Sequence, residues 1–584
     1  MFKLLKKLGK KNIALIIISF LLVIVQVNLE LMIPDYMSSI TSLIQRDDTV
    51  IKDIIIEGAY MLGCAFGSLI TAVIVGYFSS LVAANSSLLI RSRIFKKVNS
   101  FSSEEIKKFK TSSLITRTTN DVTQIEMFIA MGMQMIFRSP IMAFLAVSKI
   151  INKSVKWSML TLGCVIVLMG IISALMFIVV PRFSIVQKLI DRINGVTREN
   201  LTGIRVIRAF NAEKYQQDRF EEVNNDLTKN QMFNQKCFAI LNPAMNIVMH
   251  GLTLGIYFIG AFLIQSATIS GKISLFSDMI VFSSYGMQVI MSFVMLAFIF
   301  MIWPRAQVSA KRINEILDQP LSIVDGSNDV SKTELQGVVE FKNVSFKYPD
   351  ADEYLLENIS FKVNRGETIA FIGSTGSGKS TLINLVPRFY DATCGEILVD
   401  GINVKDYTQE SLNKKLGYVP QKAVMFTGTV KSNVSYGDKV IAEDKVEEAI
   451  EVAQASEFVN NMPDKVNSYI ASGGTNVSGG QKQRLAIARA IARDPEIYIF
   501  DDSFSALDYK TDSVLRKALK KYTKDATCMI VAQRIGTIIN ADKIVVLDKG
   551  KCVGIGTHNE LLKNCKVYKE IALSQLSKEE LNNA

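Results

Sequence analysis

Two short stretches group reactive or ligand-binding residue types at close spacing, and the first is FIGSTGSGKST at residues 371–381. It follows an apolar run and precedes a helical pattern over residues 381–390, and its glycines let backbone N–H groups converge on phosphate oxygens. Lys379 is expected to reach the terminal phosphates, and Ser380 is a candidate Mg²⁺ ligand. The predicted phosphate-contacting residues are Gly373, Ser374, Thr375, Gly376, Ser377, Gly378, Lys379, Ser380 and Thr381.

The second stretch, IYIFDDSFSALD at residues 497–508, places two carboxylates at the end of an apolar strand. Asp501 is predicted to lie at the carboxyl edge of a sheet, where open α/β folds bind ligands, and to hold the Mg²⁺ of a triphosphate. The adjacent Asp502 is the candidate acceptor of a proton from attacking water.

A second anion site is indicated by NVSGGQKQRLAIARAIARDP at residues 476–495. Ser478 is predicted to cap a helix, and Gly479 and Gly480 open the helix N-terminus to a phosphate. Helix capping alone explains Ser-Gly, but it does not explain the Gly-Gly-Gln-Lys-Gln-Arg run that includes Gln481.

The first half of the chain has the composition of a membrane protein. Lys and Arg are concentrated before the first apolar run and in the connections after the second and fourth, so these regions are predicted to be cytoplasmic. The first run then acts as its own insertion signal, and both termini face the cytoplasm. Each run has about the 20 mostly apolar residues that cross a bilayer; the runs are residues 13–33, 59–83, 127–150, 157–180, 238–265 and 279–303.

The second half has the pattern of a soluble α/β domain. Short apolar runs at residues 368–372, 497–500 and 528–531 are separated by helical patterns. Pro320 ends a helix that leaves the membrane, and the residues after it are polar. The predicted division is a six-helix transmembrane domain at 1–318, a linker at 319–334 and a nucleotide-binding domain at 335–584.

Taken together, these motifs resemble the ATP-binding cassette family, specifically exporters that fuse six membrane spans to one cassette. The resemblance implies a six-helix transmembrane domain fused to an α/β P-loop cassette that hydrolyses ATP with Mg²⁺. It also implies that Tyr348 stacks on adenine, that Gln421 contacts Mg²⁺ and the attacking water, and that Asp508 contacts a partner cassette. Taken singly, these three residues also fit a strand aromatic, an exposed loop amide and a helix cap.

The same resemblance suggests two segments that couple the cassette to the membrane domain, at residues 112–122 and 199–213. A solvated helix face is the alternative for both.

Two positions depart from the family's pattern. Such cassettes carry glutamate after the metal-binding aspartate, whereas Asp502 is one methylene shorter, and a misplacement of about 1 Å costs roughly hundredfold in rate. The family's switch histidine is replaced by Gln533, which donates hydrogen bonds but cannot become cationic. Residues 470–477 also lack the charged pair usual in such exporters. These departures predict a weakly or non-hydrolytic site in one subunit of a heterodimer, with Ser478, Gly479, Gly480 and Gln481 completing the partner's site.

Composition narrows the class of partner. The net charge of +11 is assigned to attraction by an anionic inner leaflet, so no nucleic-acid partner is expected. Seven cysteines without a CxxC pair fit a reducing interior without disulfides. The predicted location is the plasma membrane of a bacterium, where membrane lipid and a small-molecule substrate meet the chain.

The leading functional hypothesis is ATP-driven export of lipophilic or amphipathic, drug-like molecules. Peptide or lipid export is the alternative within transport, and an ATP-gated regulatory or sensor subunit is the alternative outside it. Glu30 and Arg138 are costly in hydrocarbon, so each is predicted to find a partner or to face a cavity. The methionines and phenylalanines of the last two spans form either an adaptable cargo surface or a lipid-facing one.

Overall fold

The computed structural model describes residue 4 and residues 9–45, 50–151, 154–266, 269–329, 333–437 and 441–575. The chain divides into two compact units, each described by itself below. The first comprises Met1–Asn99 and Ser112–Gln319, and the second comprises Ser100–Thr111 and Pro320–Ala584.

Long helices make up the first unit. Within the described residues, six helical stretches are long and apolar enough to cross a membrane, which confirms the six predicted spans. In chain order the helices up to residue 319 are α1 (Lys10–Ile44), α2 (Ile51–Asn99), α3 (Ser103–Phe109), α4 (Thr111–Thr118), α5 (Asn120–Ile151), α6 (Val155–Thr202), α7 (Ile204–Ala209), α8 (Glu213–Gln265) and α9 (Ile269–Leu317).

The lengths and surfaces of these helices suit a protein that is partly in lipid. Helix α8 has 53 residues, and at 1.5 Å per residue it is roughly 80 Å long, far more than the hydrocarbon thickness of about 30 Å. On α1, Val23, Val27 and Leu31 recur on one face and are buried in the helix bundle. Phe66 and Phe177 are exposed on the outside of the unit, where lipid tails replace water as the solvent.

A short segment between α2 and α4 belongs to the second unit rather than the first. Helix α3 forms independently because Ser102 and Glu105 make a capping box at its start, and because Lys110 ends it with a φ of 59°. The Glu105 carboxylate also accepts a hydrogen bond from the backbone N–H of Ser322 at 2.6 Å. The segment that groups with the second unit is therefore 100–111, ahead of the predicted coupling segment at 112–122.

The second unit is an α/β domain built on a ten-stranded sheet of the described residues. Its strands are β1 (Val339–Phe346), β2 (Leu356–Val363), β3 (Thr368–Gly373), β4 (Cys394–Val399), β5 (Ile402–Asn403), β6 (Leu416–Val419), β9 (Ile497–Asp501), β10 (Thr527–Val531), β11 (Lys543–Asp548) and β12 (Lys551–Gly556), with β7 (Gly428–Thr429) and β8 (Tyr469–Ile470) pairing separately. Across the sheet the strand order is β5-β4-β1-β2-β12-β11-β3-β10-β9-β6.

Helices of the second unit flank this sheet. They are α10 (Lys379–Asn384), α11 (Gln409–Lys414), α12 (Val430–Val434), α13 (Glu443–Val452), α14 (Ser456–Asn460), α15 (Gly479–Ile491), α16 (Tyr509–Tyr522), α17 (Ile535–Ile538), α18 (His558–Asn564) and α19 (Lys566–Gln575), with 3₁₀ turns at Lys465–Asn467 and Ser472–Gly474. Six helical spans plus this α/β domain confirm the predicted fold class.

The parallel part of the sheet positions the site. Strands β3, β10, β9 and β6 are adjacent and parallel, so their carboxyl ends meet at one edge. Their core positions are buried, including Phe371, Ile499 and Met529. Loops leaving these four strands are thereby brought side by side.

One element is shorter than predicted. The helical pattern after the phosphate loop extends to residue 390, but α10 ends at Asn384. Pro387 lies three residues beyond this end; it lacks a backbone N–H and disfavours helical geometry in the residue before it.

Candidate functional site

The phosphate loop joins β3 to α10 and is shaped by its glycines. Gly376 and Gly378 have φ values of 84° and 94°, a region that other residues rarely adopt. A Cβ on Gly378 would lie 2.6 Å from Leu356 Cδ2, so glycine is also required there for space. The backbone of the loop therefore follows a course at these two positions that depends on glycine.

Lys379 lies across this loop. Its Nζ donates to the carbonyl oxygens of Gly373 at 2.9 Å and Ser374 at 2.7 Å. Burial lowers the pKa of Lys379 below its usual value, and the charges of Asp502 and Asp501 oppose that effect. The ammonium is thus held at the loop by acceptors that phosphate oxygens can replace.

Ser380 and Asp501 form the candidate magnesium site. The Ser380 hydroxyl donates to Asp501 Oδ1 at 2.6 Å. Asp501 is 5% exposed, and burial raises the pKa of this carboxyl, with the neighbouring Asp502 adding to the rise and the Ser380 hydrogen bond opposing it. A hydroxyl and a carboxylate are oxygen ligands that fit Mg²⁺, which commonly binds one or two protein groups and completes its shell with substrate phosphates.

Asp502 is fixed by the loops of three neighbouring strands. Its backbone has a φ of 46°, and its N–H donates to the Val531 carbonyl at 3.1 Å. Its Oδ2 accepts from Gln533 Nε2 at 2.7 Å and from Gln421 Nε2 at 3.2 Å. The structure therefore brings together the three residues that the sequence singled out as the catalytic group, and both amides are hydrogen-bonded to one carboxylate oxygen.

A cavity of about 310 Å³ joins this group to the phosphate loop. Its lining includes nine of the predicted site residues, namely Thr375, Gly376, Gly378, Lys379, Ser380, Thr381, Gln421, Asp502 and Gln533. One continuous cavity thus runs from the phosphate-binding residues to the two positions that depart from the family's pattern.

Tyr348 lies beside the phosphate loop within an aromatic cluster. Its hydroxyl is 3.0 Å from Thr381 Oγ1, and its ring packs edge-to-face against Phe346 and Tyr390. Lys107 from α3 places its ammonium 4.6 Å from the Tyr348 ring centroid, a contact that the sequence did not predict. The ring is close to the nucleotide site, and its stacking on adenine remains a prediction.

The second predicted anion site lies at the start of α15. Ser478 and Gln481 form a capping box, in which each side chain accepts from the other's backbone N–H. A Cβ on Gly479 would meet no heavy atom within 4 Å, and a Cβ on Gly480 would lie 3.4 Å from the Ala506 carbonyl. The helix N-terminus is therefore open in front of Gly479. Asp508 caps α16 by accepting from the Thr511 N–H at 2.9 Å, and its contact with a partner remains a prediction.

Sequence reasoning missed Gln575, at the end of α19. Its Nε2 donates to the Gln533 carbonyl at 2.8 Å, and its Oε1 accepts from the Ile535 N–H at 2.8 Å. These two bonds hold the backbone on either side of residue 534, so the position of the Gln533 side chain depends on α19. A glutamine at the end of a C-terminal helix carries no motif that would reveal this.

Replacing Gln575 with alanine is expected to raise hydrogen exchange at the Ile535 amide about fivefold, because a lost hydrogen bond costs about 1 kcal/mol. Gln575→Glu is the matched control, since its carboxylate still accepts from Ile535. Equal exchange in the wild-type chain and the alanine variant, measured on the full-length protein by mass spectrometry, would show that this bond does not hold the loop.

Comparison with known proteins gives the same organisation. A family described as ABC transporter transmembrane region matches residues 16–293, and one described as ABC transporter matches residues 356–505. An uncharacterized ABC transporter ATP-binding protein of Mycobacterium tuberculosis is 38% identical over 537 residues, covering 91% of each chain. A multidrug resistance ABC transporter ATP-binding and permease protein of Lactococcus lactis is 30% identical, covering 89% of this chain and 86% of the relative.

Solved structures include one of similar fold, a bacterial Atm1-family ABC exporter with ATP bound. It matches with a TM-score of 0.82 and 22% identity, covering 97% of this chain and 99% of the other. The fold, the site and the relatives together show that the chain belongs to the ABC transporter family, as an exporter half-transporter with a transmembrane domain fused to its ATP-binding domain.

Proposed function

We propose that this chain is one half of a heterodimeric exporter that moves lipophilic or amphipathic, drug-like molecules out of a bacterial cell. It lies in the plasma membrane, with both termini and the ATP-binding domain in the cytoplasm. Its own ATP site is weakly or non-hydrolytic, and its signature residues complete the ATP site of a different partner. The multidrug resistance function named for the lactococcal relative supports this class of cargo.

The observation that carries the proposal is the environment of Asp502. A general base takes a proton from water and then needs a neighbouring group to which that proton can pass. Here Oδ2 already accepts from Gln533 and Gln421, and neither amide takes up a proton. The carboxylate is also one methylene shorter than glutamate, which removes it from the water by roughly 1 Å, a misplacement that costs about hundredfold in rate.

ATP binding is retained in this proposal because the phosphate loop is complete. Lys379 exchanges its two carbonyl acceptors for terminal phosphate oxygens, and the loop N–H groups contact the other phosphates. Ser380, Asp501 and Gln421 hold Mg²⁺, which supplies neutralisation of the phosphate charge when bound. The Tyr348 ring stacks on adenine at the other end of the nucleotide.

The open N-terminus of α15 supports the proposal that this chain completes the ATP site of its partner. Ser478 is bonded within its own capping box, and a Cβ on Gly479 would meet no heavy atom of the described residues within 4 Å. A helix N-terminus with free N–H groups attracts a phosphate. Ser478, Gly479, Gly480 and Gln481 therefore face the γ-phosphate of an ATP bound mainly by the other subunit.

The purified chain in lipid nanodiscs tests this proposal through ATP binding and phosphate release. We expect it to bind ATP while releasing phosphate well below about 1 s⁻¹, the low end of typical enzyme turnover. Lys379→Ala is the control and should lose binding as well. Rapid phosphate release by the chain alone would refute the weak-site assignment, and absence of ATP binding by the wild-type chain would refute its role as an ATP-holding subunit.

A further inference from the structure

An ion pair links two helices of the membrane unit. The guanidinium of Arg138 on α5 donates from Nη2 to Glu30 Oε2 on α1 at 2.8 Å. The other oxygen, Oε1, accepts from Gln26 Nε2 at 3.0 Å and from Ser68 on α2 at 3.1 Å. We call these four residues the membrane polar layer.

This layer lies at hydrocarbon depth. With a rise of 1.5 Å per residue, Glu30 is roughly 30 Å along α1 from Lys10. By the same measure, Arg138 is roughly 18 Å from Glu126 on one side and roughly 16 Å from Lys149 on the other. The Glu126–Lys149 spacing fits a hydrocarbon core of about 30 Å with Arg138 near its middle, whereas Glu30 lies about one such thickness from Lys10, toward the far boundary.

The pair is unevenly satisfied. A carboxylate accepts only, and that of Glu30 has three donors. A guanidinium has five N–H donors, of which, among the residues that the structure describes, one has a protein acceptor. Arg138 is also the more exposed partner, at 37% against 19% for Glu30. The hydrogen-bonding groups of the layer that remain available to a ligand are therefore N–H donors of the Arg138 cation.

In the next ion pair on the same two helices the cation is again the more exposed partner. Lys149 Nζ donates to Asp35 Oδ2 at 2.5 Å, while Tyr285 donates to Asp35 Oδ1 at 2.6 Å. Lys149 is 45% exposed and Asp35 36%. Arg138 and Lys149 are eleven residues apart, which places them roughly 20° from each other around α5, on one face. This face of α5 thus presents two cations in line.

An exposed guanidinium at the depth of Arg138 needs an acceptor. Guanidinium groups left without acceptors in hydrocarbon are costly, and ionisable residues inside membranes mark substrate paths. The planar fork of arginine matches a phosphate or a carboxylate with two parallel hydrogen bonds. An organic cation fits poorly because the carboxylates are already occupied by donors.

We propose that Arg138 binds the acidic headgroup, a phosphate or carboxylate, of an amphipathic molecule, and that Lys149 is the next contact along α5. This assignment rests on the proposed export of amphipathic molecules and narrows their class to anions. Glu30 positions Arg138 and limits its affinity, since it competes with the bound anion for the guanidinium.

Binding without ATP tests the assignment and leaves the ATP-site proposal unaffected. The full-length chain in phosphatidylcholine nanodiscs is titrated with radiolabelled dodecyl phosphate and, as a matched probe, dodecyltrimethylammonium. Arg138→Gln is expected to weaken binding of dodecyl phosphate at least about tenfold, as loss of a charge-assisted pair implies. Binding of the cationic probe should not change. Arg138→Lys should bind with intermediate affinity, and Glu30→Gln should bind dodecyl phosphate more tightly.

A double variant shows whether a loss of binding is caused by misfolding. Glu30→Gln combined with Arg138→Gln leaves no unpaired charge in the layer, and it should fold and still lose the phosphate probe. Unchanged binding of dodecyl phosphate in this variant, or equal loss of both probes, would overturn the proposal.

A second experiment distinguishes a bilayer lipid from a free amphiphile as the source of the bound headgroup. Nanodiscs with added phosphatidylglycerol are analysed by native mass spectrometry. Retention of phosphatidylglycerol by the wild-type chain but not by Arg138→Gln identifies a bilayer lipid as the ligand. Binding of dodecyl phosphate without such retention identifies a free amphiphile. Absence of Arg138-dependent binding in both experiments would contradict the inference.

Discussion

Changing Asp502 to glutamate and Gln533 to histidine in the same chain is expected to raise its phosphate release roughly hundredfold, the cost attributed to a misplaced base. The longer carboxylate reaches the attacking water, and a histidine replaces an amide that neither charges nor passes on a proton. The two hydrogen bonds of Gln575 should survive both changes, because they join its side chain to backbone groups, the carbonyl of residue 533 and the Ile535 N–H.

Each single variant serves as a control. Asp502→Glu alone still meets the Gln533 and Gln421 amides, and Gln533→His alone still has the short carboxylate, so each should recover only part of the rate. Phosphate release is measured in nanodiscs at saturating ATP, with ATP binding checked in parallel. If the double variant binds ATP but is no faster than the wild-type chain, the two positions do not set the rate.

Gly479→Glu is expected to reduce the ATPase rate of the proposed two-subunit assembly at least about hundredfold, as loss of preorganised donors does in other active sites. A Cβ at Gly479 meets no heavy atom within 4 Å, so the variant should fold. Its carboxylate would stand at the helix N-terminus and repel the phosphate that this position attracts.

Two comparisons make this result specific. Gly479→Ala adds no charge and should retain most of the rate. ATP binding by the variant chain itself should be unchanged, since the phosphate loop is elsewhere in the sequence. An assembly that keeps its full rate with glutamate at 479 would show that this signature does not serve the hydrolysing site.

The main parts of the ATP site were predictable because each motif directly follows a strand. The apolar runs before Gly373 and Asp501 set the positions of two loops, and parallel pairing of β3, β10 and β9 then brings those loops together. The hydrogen bonds from Gln421 and Gln533 to one oxygen of Asp502 were not predictable, since they depend on how the side chains are oriented.

Contacts between distant parts of the sequence were the least predictable. Gln575 lies 42 residues after Gln533, in a helix without any motif, and Lys107 lies within the half of the sequence assigned to the membrane domain. For Glu30 the sequence predicted a partner or a cavity. It named Arg138 separately with the same expectation and did not pair the two residues, because their contact depends on the rotation of two helices about their axes.

The hydrogen bonds to Glu30 also imply an order of events during synthesis. Gln26 lies four residues away on the same helix, whereas Ser68 and Arg138 follow 38 and 108 residues later in the chain. At ribosomal rates of about 5–20 residues per second, Arg138 emerges roughly 5–20 s after Glu30. For roughly the first 2–8 s of that interval, before Ser68 emerges, Gln26 is the one of these three donors that can shield the carboxylate of the nascent first helix. Gln26 therefore makes co-translational insertion of this helix easier, and its loss should lower the yield of inserted protein more than the stability of the finished one.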